Sequence, residues 1–253
     1  MPAKNEHNRF VSTLTSAEVQ DHILEYASLL DTSPDERPIH EFLANHSYFF
    51  HHLLRLSGQS PLYSKIRLGD QFVVDFAGFD QSSVGPEWYL IEIESPTCKM
   101  FTKAGRQSAK LTHTIQQVSD WRMWVQENLD SARKLMPYIV HPLGYIFMGR
   151  RNDVDQAEQT LLRQIIVENR LLFRIHSLDR LLDWAKDVLN VMGKGGSLSL
   201  QTRALTHRDL RRGLPADAHQ YMSHYVPMLT KTKRYPKEML EDREHVDFDG
   251  RGV

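Results

Sequence analysis

A single cysteine, Cys98, stands in 253 residues. No disulfide can form within the chain, and a zinc site built on several thiolates is excluded. Excess charge of either sign is equally scarce: 31 Lys and Arg against 32 Asp and Glu leave a formal net charge of −1. That balance argues against a protein that coats nucleic acid, although it leaves room for a local basic patch. Long apolar runs are missing too. The longest, PYIVHPLGYIFMG (137–149), is too short for a bilayer and is interrupted by His141 and Pro142. The opening residues, MPAKNEHNRF, lack the apolar stretch of a secretory signal. The expectation is a cytoplasmic protein with no membrane partner. Its 41% apolar and 25% charged content suits an ordinary folded core.

What is present is a readable order of elements. Residues 1–35 are polar, with one short amphipathic segment, SAEVQDHILEYASLL, and read as an N-terminal helical or flexible piece. The first strong helix signal is SPDERPIHEFLANHSYFFHHLLRL. Ser33 or Asp35 can cap it, and Ile39, Phe42, Leu43, Phe49 and Leu53 supply an apolar face. SKIRL and QFVVDFA flank the turn dipeptide Gly69-Asp70 and predict a hairpin. WYLIEI (88–93) is a third strand, and SAKLTHTIQQVSDWRMWVQENL a long helix. The strand LGYIFMG, a helix over about 154–168, the strand RLLFRIH and the helix SLDRLLDWAKDVL follow. This order predicts an α/β fold, a mixed sheet with helices packed on its faces, over residues 36–192. From GKGG onward, residues 193–253 read as a C-terminal extension, partly flexible.

The chemistry concentrates on a few acids. Asp75 closes the apolar run FVVD of the second strand, and Glu92 sits between Ile91 and Ile93 in the third. Glu94 follows two residues later, so strand alternation puts Glu92 and Glu94 on one face of the sheet. A solvated sheet face accounts for any one of them. Taken together, carboxylates gathered on neighbouring strands are hard oxygen ligands that suit Mg²⁺ or Mn²⁺ better than zinc. The helix after the third strand adds a stripe of Lys110, Thr114, Gln117, Trp121 and Trp124, spaced by four, three, four and three. Trp124 in that stripe reads as core.

The succession VVDFAG, WYLIEIESP, FTKAGRQSAKLTH and QVSDW resembles the Shedu nuclease family of bacterial anti-phage defence, within the PD-(D/E)xK superfamily. The resemblance covers roughly residues 36–190 and implies a restriction-endonuclease-like fold. By that pattern Asp75 is the first metal ligand and Glu92 the second. Glu41 in the first helix matches an acidic position that can complete the metal shell, and Gln117 with Trp121 resembles a Gln-x-x-x-Tyr element. The resemblance further implies a Mg²⁺- or Mn²⁺-dependent endonuclease acting on DNA, a homo-oligomer, and a role against phage.

One position departs from that pattern. Where the superfamily carries a lysine, this chain has Glu94. Glu94 acts as general base or extra metal ligand, or Lys103 or Lys110 supplies the missing cation, with Lys103 preferred because it lies in a loop. The alternative is a catalytically silent protein of the same fold that binds DNA or a partner. Residues 95–134 are locally basic, carrying Lys99, Lys103, Arg106, Lys110, Arg122, Arg133 and Lys134. A positive surface beside an acidic site is what a polyanionic substrate requires. Among thirteen histidines, His40, His46, His51 and His52 lack metalloprotease spacing. Adjacent His51 and His52 should diverge on a helix, and all four read as structural or surface residues.

Overall fold

The computed structural model describes residues 10–53, 61–82 and 85–214. A short strand, β1 (Val11–Thr15), runs directly into α1 (Ser16–Thr32). The junction is a capping box: Thr15 Oγ1 accepts the Glu18 amide at 3.3 Å, and Glu18 Oε2 accepts the Thr15 amide at 2.7 Å. Val19, Ile23, Tyr26 and Leu30, at helical spacing, bury the inner face of α1.

The first strong helix signal yields a shorter helix than its apolar spacing suggests. It becomes α2 (Arg37–Asn45), with Asp35 Oδ1 accepting the Arg37 amide at 3.0 Å. The helix ends at His46, where φ is −136° and ψ 52°, and a 3₁₀ turn over Ser47–Phe50 follows. Tyr48, Phe49 and Phe50 are all buried there, so tertiary packing of three consecutive aromatics overrides the helical period.

The main sheet grows from the expected hairpin. Its strands are β2 (Tyr63–Leu68) and β3 (Phe72–Ser82), with β4 (Gly85–Ile93) antiparallel to β3. The hairpin turn spans Gly69, Asp70 and Gln71, three residues rather than two, and Gly69 takes a φ of 58°. Next come α3 (Ala109–Glu127), α4 (Leu129–Leu135), β5 (Leu143–Phe147), α5 (Gln156–Glu168), β6 (Phe173–His176) and α6 (Asp179–Met192). The chain continues through β7 (Ser197–Gln201), β8 (Leu205–Thr206) and the short α7 (His207–Leu210). The sheet is mixed, ordered β6-β5-β4-β3-β2-β8, with parallel pairs at both edges. β1 and β7 pair separately as an antiparallel ribbon. Residues 197–214 thus supply β7, β8 and α7, while residues 215–253 of the expected C-terminal extension lie outside the described residues.

Helices cover both sheet faces. Residues of α1, α2 and α6 pack with Phe76, Ile91, Ile93 and Phe147 on one side. Residues of α3, α4 and α5 pack with Val74, Ala77, Leu90 and Ile146 on the other. At Gly144 of β5 an added Cβ would lie 2.2 Å from Val118 Cγ1, so glycine there is what lets α3 lie close upon the sheet. Among the described residues no helix is long and apolar enough to cross a membrane.

Candidate active site

The alternation of β2 and β3 slips at one level. Tyr63, Ile66 and Leu68 of β2, and Val74, Ala77 and Phe79 of β3, all enter the core layer beneath α3. Intervals of three, Tyr63 to Ile66 and Val74 to Ala77, break the two-residue period on both strands together. Lys65 and Asp75 occupy this break, opposite one another between the pairs Ser64–Phe76 and Ile66–Val74. Lys65 takes a φ of 51°, a left-handed conformation that costs a non-glycine residue on the order of 1 kcal/mol and clusters at functional sites. Its Nζ lies 2.5 Å from Asp75 Oδ1, while Asp75 Oδ2 accepts the Ile93 amide at 2.9 Å.

Asp75 lies near the beginning of β3, not at the end of a strand as its sequence context suggests, because β3 continues to Ser82. The β3–β4 register, carried one step beyond Phe76–Ile91, brings Asp75 level with Glu92. The charge of Asp75 acts on the Glu92 carboxyl from there. Glu92 and Glu94 share the α3 face as expected, and the α3 stripe meets both. Gln117 Nε2 donates to Glu92 Oε1 at 2.8 Å, and Thr114 Oγ1 donates to Glu94 Oε1 at 2.7 Å. Lys110 Nζ reaches Glu94 Oε2 at 2.6 Å. All three acids are buried.

Burial drives the electrostatics. Desolvation, then the charges of Asp75 and Glu94, push the Glu92 carboxyl up to about 10, against the opposing hydrogen bond from Gln117. Its second oxygen, Oε2, is buried without a hydrogen-bond partner. Partial burial opposes the charge on Lys110, but the hydrogen bond and charge of Glu94 outweigh it and raise its pKa. Glu36, at the start of α2, feels the same site. Burial first, then the charges of Glu94 and Asp75, raise its pKa.

The remaining expected residues sit apart from this cluster. Glu41 is exposed on α2 and pairs with Arg37 Nε at 3.0 Å, and Glu36, exposed before the helix, is coupled to the cluster through charge alone. Lys103 is exposed in the loop between Phe101 and Gln107, whereas Lys110, the less favoured of the two lysines, makes the contact. Trp121 is fully buried and its Nε1 has no partner; Trp124 is part-buried against Gly69. The basic stretch is partly consumed in the fold. Lys99 pairs with Asp153 at 2.5 Å, and buried Arg122 donates to the Leu171 carbonyl at 3.0 Å.

Sequence reasoning missed Lys65 and the contact of His40. His40 stacks on Phe76 at 4.4 Å, with its Nε2 3.4 Å from the Asp75 carbonyl oxygen. The signal for Lys65 was turn length, since a two-residue turn puts Ser64 opposite Asp75 and the three-residue turn puts Lys65 there.

Chemically, three buried carboxylates (Asp75, Glu92 and Glu94) meet two ammonium groups (Lys65 and Lys110). Fully ionised, this set is one negative charge in excess, so a cation is favoured there. The donors of Asp75 and Glu92 are hard oxygens, and one of them is buried and unpartnered, which suits Mg²⁺ or Mn²⁺ better than zinc, although among the described residues no third His, Cys, Asp or Glu converges with the pair. A family model described as Shedu protein SduA, C-terminal, matches residues 33–182, more than half of the chain and the whole of this site. No curated protein matches the chain.

Proposed function

Because the chain belongs to the Shedu SduA family, we propose that it is a DNA endonuclease that uses a divalent cation to hydrolyse phosphodiester bonds in defence against phage. The observation that carries this reading is Glu92, a buried acid beside Asp75, pushed up to about 10 and left with an unpartnered oxygen. Such a group is stable as an anion only beside a cation, and Lys65 and Lys110 are both engaged with other acids.

Asp75 and Glu92 would hold the cation, with water filling the rest of its shell. Mg²⁺ or Mn²⁺ bound there supplies Lewis acidity toward the phosphate and the attacking water. Gln117 fixes the Glu92 carboxyl through its amide, and the Ile93 amide does the same for Asp75. Lys110 brings positive charge to the place where the PD-(D/E)xK pattern expects its lysine. Glu94 and Thr114 orient that ammonium and its helix rather than replace it. Lys65 offsets charge on Asp75 and lies ready for a phosphate oxygen. Exposed Lys103 and Arg106, just before α3, offer contacts to the DNA backbone.

We propose a homo-oligomer as well, with one site per strand cut. β6 is an edge strand of the sheet, and Val167, Leu171 and Leu172 beside it are exposed. The test is cleavage of linear, circular and single-stranded DNA in Mg²⁺, in Mn²⁺ and in chelator. Metal-dependent cutting that Asp75→Ala abolishes is the expected result. DNA binding without cutting under any of these conditions would instead favour the silent nuclease-fold reading.

A further inference from the structure

The face opposite α3 carries a second group of metal-ligating side chains that the proposed nuclease reaction does not use. After the 3₁₀ turn the backbone stays near φ −57°, ψ −23° at His51, and the two neighbouring imidazoles, expected to diverge, come together instead. Their ring centroids lie 4.3 Å apart at 45°. Asp187 of α6 closes the group, with Oδ2 2.9 Å from His52 Nε2. One ring nitrogen of each histidine and one carboxylate oxygen of Asp187 all lie within 4.8 Å of one another. His51 Nδ1 is buried and has no hydrogen-bond partner.

We propose that His51, His52 and Asp187 form a binding site for a borderline transition-metal ion of the Zn²⁺ class. Two imidazoles and one carboxylate suit Zn²⁺, Co²⁺ or Ni²⁺, whereas the oxygen set at Asp75 and Glu92 suits Mg²⁺ or Mn²⁺. The ligand-bearing segments are already fixed. Phe50 and Leu53, on either side of the two histidines, are buried. His52 packs on Trp184 with centroids 5.1 Å apart, and Trp184 lies one helical turn before Asp187. The side chains of His52 and Asp187 are 45% and 54% exposed, so an ion can enter from solvent and keep a water in the fourth position. On binding, the ion takes the place between His52 Nε2 and Asp187 that a proton holds in the hydrogen bond, and that proton leaves to solvent. The bound ion ties the turn after α2 to α6, two segments far apart in the chain, and therefore raises thermal stability.

The site is tested on the full chain stripped with chelator, with Co²⁺ as spectroscopic probe and Zn²⁺ as competitor. Wild type should bind one Co²⁺ with visible absorption characteristic of nitrogen and oxygen ligands, displaced by Zn²⁺, and its Tm should rise with Zn²⁺. His52→Ala and Asp187→Asn should each weaken binding more than about tenfold and remove the Tm rise. Glu92→Gln should leave both readouts intact, which separates this site from the acidic one. Asp187 is half exposed, so Asp187→Asn tests the site without emptying the core. Absence of Co²⁺ absorption in wild type, or binding by Asp187→Asn equal to wild type, overturns the proposal.

Discussion

The two faces of the sheet bury ionisable groups for the same physical reason and with opposite consequences. Beneath α3, desolvation and neighbouring charge push an acid, Glu92, up to about 10. On the face covered by α1, α2 and α6, burial pushes imidazoles down. His176 stands at about 4, where burial is joined by the charges of Arg180 and Arg174, and His51 is lowered likewise. A lowered histidine is at rest in its neutral form, and His176 packs accordingly among Tyr145, Phe147 and Trp184. A raised carboxyl is at rest only while protonated, and any function that needs its anion needs a cation beside it. Around His176 burial serves packing, whereas beneath α3 it prepares for a charge still to arrive.

The largest expected effect lies on the acidic face. Asp75→Ala and Glu92→Ala should each lower metal-dependent DNA cleavage by about 10³-fold or more, and the double variant should be no worse than either, as for residues acting as a unit. Gel-based cleavage rates decide this. Should His176→Phe cost as much, the contrast between the faces is broken. A smaller effect separates two lysines. Lys110→Met should slow cleavage by about a hundredfold, on the order of losing one positioned charge, while Lys103→Met stays within a few-fold. A stronger effect at Lys103 would mean that the exposed loop, not α3, supplies the cation.

Stability against pH sharpens the comparison further. In chelator, Glu92 binds a proton in the folded state up to about 10, whereas the unfolded carboxyl releases it near its ordinary value of 4.5. Between those values the folded state holds more protons, so Glu92 makes stability fall as pH rises. Denaturant melts should show that slope reduced in Glu92→Gln, with that variant the more stable protein at mildly alkaline pH. His176 has the opposite sign and the smallest effect. Its folded pKa of about 4 lies below the ordinary imidazole value of 6.5, so its contribution is present above that window and is lost as pH falls through it. His176→Phe should flatten the acid limb of the same curve and leave the alkaline limb unchanged.

Much of this arrangement was legible in the order of residues. The hairpin, the strand bearing Glu92 and Glu94, and the α3 stripe through Lys110, Thr114 and Gln117 follow from periods of two and of 3.6. The shared face of the two glutamates needed no more than alternation. Lys65 was hidden because its contact depends on one extra turn residue and on a left-handed φ that no propensity encodes. Glu41 stands apart because its helix begins at Arg37 and turns it to solvent, where it pairs with Arg37 one turn back. His51 and His52 were expected to diverge on a helix that three buried aromatics cut short. Each miss is a place where packing, rather than local pattern, sets the backbone.

The most direct test of a carboxylate cluster kept for a divalent cation is a calorimetric Mn²⁺ titration of chelator-stripped protein near neutral pH, repeated in buffers of different ionisation enthalpy. Binding at this site should release about one proton, the one held by Glu92, and in Glu92→Gln the ion should bind more weakly and without that release. Proton release by Glu92→Gln equal to wild type, or no binding by wild type, would contradict the account.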